Sequence, residues 1–182
     1  GSGAGGCHAL APAMIVVVAE TSPLTYLIQI NRQDLLPALY DRVLVPAAVM
    51  KELDHPSAPA AVRAWLAHVP GWIAVRNLRA ESDSSLAELD PGEREAIQLA
   101  LEAKAEAVLM DERLGVRLAR KHGLKVIGTL GILVQGVRRG LVDIDAAIER
   151  LQATDFRCTP QVFERAKNQA RANRGNPGPT GD

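Results

Sequence analysis

Carboxylates recur at the places where an alternating α/β chain would carry chemistry. Glu20 directly follows the apolar run Met14–Ala19 (MIVVVA), and Asp111 and Glu112 directly follow Ala107–Met110 (AVLM). Glu52 comes four residues after Ala48 and three after Val49, and Glu93 comes three before Ala96 and four before Ile97. At helical spacing both therefore ride along an apolar stripe. Glu95 precedes Leu99 by four and falls at the edge of its stripe. Taken singly, Glu93 and Asp111 have a duller use, as acids in first helical turns where the dipole favours negative charge. Taken together, carboxylates gathered at one place repel, and burial sharpens the repulsion. A divalent cation is the usual remedy, and an oxygen-only donor set suits Mg²⁺ or Mn²⁺.

Other chemistries fit poorly. His55, His68 and His122 are scattered, and neither HExxH nor CxxC occurs, which argues against zinc. There is no GxSxG elbow and no GxxxxGK[ST] loop. Gly128–Gly131 (GTLG) follows a strand and opens a helix, but its spacing is not GxGxxG. A tight turn with close helix packing is the commoner use of such glycines, and nucleotide binding there is a minor alternative.

The elements that must position the acids alternate along the chain. MIVVVA reads as a buried strand, and Ser22-Pro23 as an N-cap with Pro at the first helical position, opening a helix to about Ile30. A short helix fits 33–40, a strand 42–45, and helices 46–53 and 59–69. A further strand fits 72–76. Asp90-Pro91 opens a long helix to about Lys104, and AVLM is a strand. A helix over 111–122 stops at Gly123, followed by a strand over 124–127 and a helix over 129–139. Helices over 143–152 and 160–172 complete the pattern. Short apolar strands alternating with helices imply parallel strands with right-handed crossovers. The expected fold is α/β: a three-layer α/β/α sandwich on a mainly parallel sheet of four to five strands. In such sheets ligands bind beyond the carboxyl ends of the strands, where Glu20, Asp111 and Glu112 fall.

Composition sets the frame. The chain has 182 residues, 47% hydrophobic, with two cysteines, Cys7 and Cys158. That fits one globular domain with tails and excludes wholly disordered, collagen-like and disulfide-rich classes. No apolar run reaches the ~20 residues of a membrane helix, and a reduced, cytoplasmic location is expected. Residues 1–13 read as a cloning remnant ahead of a natural start at Met14. Residues 14–156 read as the domain, 157–173 as a basic C-terminal helix and 174–182 as a disordered tail. Net charge is zero, yet 20–112 holds 15 acids and 8 bases, whereas 113–139 holds 7 bases and no acid. The segregation suggests an acidic pocket for a cation beside a basic rim for a polyanion.

Four segments, VVVAETSPLTYLIQI, LVPAAVMKEL, LDPGEREAIQLAL and VLMDERLGVRLARKHGLKVIGTLGILVQGVRRGLV, resemble in order the PIN-domain proteins, and most closely the VapC-like toxin ribonucleases. The resemblance covers about 14–142. It implies a PIN-like fold and a Mg²⁺- or Mn²⁺-dependent, single-strand-specific endoribonuclease, the toxin of a toxin–antitoxin pair. Carried across, the catalytic acids are Glu20, Glu52, Glu93 and Asp111, with Glu95 and Glu112 as second choices and Ser22 steadying a water or carboxylate. Glu20, Glu93 and Asp111 would hold the metal, and Arg113, Arg117, Arg120 and Lys121 would meet RNA. A small antitoxin is the implied partner, often placing an Arg among the acids; a homodimer is left open. The sequence departs from the family at one place, with Glu20 where DTSPL has Asp. One added methylene displaces a carboxylate by ~1.5 Å, against a tolerance of about 0.5 Å in catalytic constellations. The alternative is a PIN-like domain of weak or no activity that binds nucleic acid or a partner. Whether Glu20 is natural or introduced stays open.

Overall fold

The computed structural model describes residues 13–172. The expected remnant (Ala13 aside) and the tail lie outside the described residues. The elements in order are β1 (Val16–Ala19), α1 (Thr21–Gln29), α2 (Leu35–Leu39), β2 (Arg42–Pro46), α3 (Ala47–Leu53), α4 (Ala60–Leu66), β3 (Ile73–Arg76), α5 (Pro91–Glu102), β4 (Ala107–Leu109), α6 (Arg113–Lys121), β5 (Val126–Ile127), α7 (Thr129–Arg138), α8 (Ile144–Gln152) and α9 (Pro160–Ala172). A 3₁₀ turn at Ser84–Leu86, which the sequence reading did not include, precedes α5.

The five strands run parallel in the order β3-β2-β1-β4-β5. Alternation along each central strand divides the core. Val17, Val43, Val45, Ala107 and Leu109 face one cluster, and Val18, Leu44, Val108 and Met110 face the other. The first cluster is closed by α1, α2, α3, α4, α7, α8 and α9, the second by α5 and α6. That is the expected three-layer sandwich. The chain leaves β1 toward β2 on one side and later returns to β4 on the other, so the topological switch point lies between β1 and β4. Glu20 and Asp111 follow these two strands.

Three local readings change. The N-cap of α1 is Glu20, not Ser22: its side chain accepts from the Ser22 N–H, and Pro23 is the third helical residue. Proline is tolerated there because first-turn N–H groups have no intrahelical acceptor. Asp111 is not in the first turn of α6, which starts at Arg113 behind the N-cap Glu112. Helix α9 is not set apart, since Phe163, Ala166 and Ala170 are buried in the same cluster as α7 and α8. Its charge is also largely internal, Lys167 and Arg171 both pairing with Asp145. Among the described residues no helix is long and apolar enough to cross a membrane.

Candidate functional site

The C-terminal edge of the sheet carries a cavity of about 390 Å³ lined by Glu20, Ser22, Glu52, Glu88, Glu93 and Glu112, among others. Each acid is placed by a different local device. Glu20 sits where β1 passes into α1, fixed by its own N–H bond to the Leu109 carbonyl (3.0 Å) and by the Ser22 N–H on its carboxylate (3.0 Å). It is 4% exposed. Glu93 is the third residue of α5 and closes a capping box with Asp90, whose N–H it accepts at 3.3 Å. It is 7% exposed. Glu52, on α3, accepts from the Thr21 hydroxyl (2.5 Å) and the Gly92 N–H (2.8 Å).

Burial and mutual repulsion show in the acidities. Desolvation raises the Glu20 pKa from an ordinary 4.5 to about 7; the charges of Glu93 and Glu52 push the same way, against the lowering effect of the Ser22 and Thr21 N–H groups. Glu93 is raised too, first by burial and then by the charges of Asp90, Glu112 and Glu52. These acids are close enough to destabilise each other's charged forms, and among the described residues no basic side chain lines their cavity.

Asp111 stands apart from that group. Both its oxygens are taken by Thr129 at the start of α7, the N–H at 2.8 Å and the hydroxyl at 2.6 Å. Thr129 is fully buried. Burial raises the Asp111 pKa, and Glu112 is the acid that adds to it. Asp111 lines a neighbouring cavity, which shares Ser22 and Glu112 with the first. Glu95 is elsewhere, its carboxylate accepting from Ala48 N–H at the start of α3 (3.3 Å). The structure thus brings Glu20, Glu52, Glu93 and Glu112 to one cavity, with Asp111 beside it and Glu95 outside. Ser22 acts on Glu20 through its main-chain N–H.

The basic residues divide likewise. Arg113 opens α6 next to Asp111, and Arg117, Arg120 and Lys121 follow on its exposed face, running away from the cavity. Arg138 and Arg139 end α7 beside Lys125 and Ile15, at the opposite edge of the sheet. The run of seven bases is therefore no single rim.

Sequence reasoning missed Thr21, Thr129 and Gly92, which hold the acids, and Glu88, which lines the cavity. The Asp-x-x-Glu spacing at 90–93 and a Thr directly after a strand-end acid or glycine were available signals; nothing pointed to Glu88. Gly92 is the sharpest case, since a Cβ there would collide with the Glu52 carboxylate. Gly92→Ala should leave the melting temperature nearly unchanged, because Ala favours a helix by about 1 kcal/mol while Glu52 loses a hydrogen bond of similar worth. The displaced carboxylate should lower any activity of the site by roughly 10²-fold. Parallel melting and activity assays check this.

Oxygen-only donors fit a hard divalent cation, and two adjoining buried acids suit one electrostatically where, among the described residues, no basic side chain lines their cavity. Among the described residues no three acidic, His or Cys side chains stand close enough to share an ion.

A doubly wound parallel α/β domain with buried acids at its switch point is the class that fold and site define. The chain belongs to the PIN-domain family, whose model matches residues 16–172 and so includes α9. A PIN domain is a nuclease fold. Among solved structures the chain is similar to a PilT N-terminus domain protein from the hyperthermophilic archaeon Sulfolobus solfataricus. The two share 15% identity at a TM-score of 0.47, over 67% of this chain and 92% of the other. No curated protein is significantly similar to the chain.

Proposed function

We propose that this chain is a Mg²⁺- or Mn²⁺-dependent, single-strand-specific endoribonuclease, the toxin of a toxin–antitoxin pair acting in the cytoplasm. The observation that carries the reading is the burial of Glu20 and Glu93 against one cavity at the sheet's C-terminal edge, with no basic residue among the described residues lining it. Glu20 and Glu93 would hold the ion, and Asp111, turned toward Thr129, would act from the second cavity. When bound, the ion supplies Lewis acidity toward water and the phosphodiester oxygens. Glu52, held by the Thr21 hydroxyl and the Gly92 N–H, would present its carboxylate at the cavity and orient water there. Glu112 lies at the junction of the two cavities, and Arg113 at the start of α6 draws phosphates toward them, with Arg117, Arg120 and Lys121 meeting the RNA further along the helix. A small antitoxin would silence the site by placing an Arg among the acids, where a guanidinium can bond two carboxylates at once.

The test is cleavage of single-stranded and duplex RNA of one sequence, with Mg²⁺ and with chelator. Cleavage should be confined to the single strand, need the cation, and fall at least ~10²-fold in Glu93→Gln. Cleavage that survives chelation or this substitution would overturn the assignment. One observation favours a second reading, a nucleic-acid-binding module of weak activity: Glu20 spends one oxygen capping α1. Tight RNA binding without cation-dependent cleavage is the outcome that reading requires.

A further inference from the structure

Beside the acidic cavity lies a second, of about 780 Å³, between α1, the start of α6 and the 153–159 loop. Its walls differ in kind. Tyr26 and Phe156 meet inside it as a perpendicular aromatic pair, ring centroids 5.0 Å apart and planes at 89°. A perpendicular pair leaves both faces of the ring that offers its edge clear of its partner. Phe156 also meets Phe163 of α9, ring centroids 6.1 Å apart and planes tilted by 52°, and both rings of the Tyr26–Phe156 pair are partly buried against the core. Arg113 and Arg157 are exposed at the cavity's margin. Arg157 is steadied by bonds to the Thr154 and Phe156 carbonyls (3.1 and 3.2 Å), and among the described residues neither arginine pairs with a carboxylate. Asp155 adds an exposed acceptor. The two cavities meet at Ser22 and Glu112.

We propose that this second cavity is a nucleotide subsite: it takes the base of a single-stranded RNA residue flanking the acidic site, stacked on the Tyr26–Phe156 pair, with the adjoining phosphate on Arg113 and Arg157. Aromatic rings carry a base, guanidinium groups carry a phosphate, and the shared wall at Ser22 and Glu112 sets the two sites side by side. Aromatic residues are 3% of the chain, so a pair at this place concentrates base affinity at one position of the substrate. The inference rests on the nuclease reading for its substrate class.

The experiment measures binding by the full chain, with Mg²⁺, of a nuclease-resistant 2′-O-methyl hexanucleotide and of the same oligonucleotide with abasic residues. The intact oligonucleotide should bind at least about fivefold more tightly, the lower end of what one base–aromatic stack contributes. Phe156→Leu, which keeps an apolar side chain in the core, should erase that difference. Arg113→Ala, at an exposed position, should weaken both probes and reduce the salt slope by about 0.7. Equal binding of the two probes, or a difference unchanged in Phe156→Leu, overturns the subsite. Cation-dependent cleavage alongside equal binding would sink the subsite alone. Base-dependent binding without cleavage would sink the nuclease reading and leave a base-binding cavity.

Discussion

Replacing Glu20 by Asp is expected to increase cation-dependent RNA cleavage by up to ~10²-fold, while replacement by Ala abolishes it. Glu20 has two tasks that compete. It caps α1 through the Ser22 N–H, and it faces Glu93 across the acidic cavity. Asp is among the best N-cap residues and Glu is not, so the shorter side chain satisfies the helix with less reach. It also withdraws the carboxylate by ~1.5 Å, toward the place the DTSPL pattern gives it. Mg²⁺ is intolerant of misplaced ligands, so a shift of that size should register in rate more than in stability. Ala removes the acid and the cap together. The lost cap costs about 1 kcal/mol, and relief from burying a charge works against that loss, so the variant should stay folded. Single-turnover cleavage by the three proteins, with melting curves as control, decides the matter. Equal rates in all three would remove Glu20 from the chemistry.

The sheet was legible in the sequence because parallel strands buried on both faces leave runs such as VVVA and AVL that have no polar face to confuse them. Their right-handed crossovers then force Glu20 and Asp111 to one edge. What the pattern could not convey was the direction in which each acid is tied. Asp111 reads as a first-turn residue of α6 because Arg113–Lys121 follows it so closely, yet its hydrogen bonds go across the sheet edge to Thr129. That partner is 18 residues away and belongs to the next crossover. Glu93 and Glu95 are two apart on one helix, and periodicity pointed Glu93 inward. The structure agrees, burying Glu93 and leaving Glu95 at the α3 terminus.

Charge counting failed for a related reason. The bases of 113–139 form one run in sequence, but α6 descends from the C-terminal edge and α7 begins there again. Arg113 and Arg139 therefore end at opposite edges of the sheet. Only the start of α6 stays near the acids. The aromatic pair was hidden likewise, because Tyr26 and Phe156 are separated by most of the domain. They meet because α9 packs against α7 and draws the loop before it over α1.

The cation-free protein should lose stability as pH rises from about 4.5 to about 7, and Glu20→Gln should abolish much of that loss. The Glu20 pKa is about 7 in the fold against an ordinary 4.5. Between those values the folded chain holds a proton that the unfolded chain has released, so stability falls with rising pH. Below about 4.5 both states are protonated and the penalty vanishes; above about 7 it is complete. The interval corresponds to roughly 3 kcal/mol, or about 2–4 °C of melting temperature per kcal/mol for a chain of this size. Glu93 and Asp111 are raised in the same direction and deepen the slope. Gln keeps an oxygen to accept the Ser22 N–H but carries no charge to desolvate. At pH 8 with chelator the variant should therefore melt several degrees above its parent, while at pH 4.5 the two should coincide. Mg²⁺ at pH 8 should raise the parent more than the variant, because a bound cation offsets the repulsion that Gln has already removed. Parallel pH profiles for the two proteins would mean that the Glu20 carboxylate reaches solvent or a counter-charge, and the acidic cavity would then lack the buried charge on which a cation would draw.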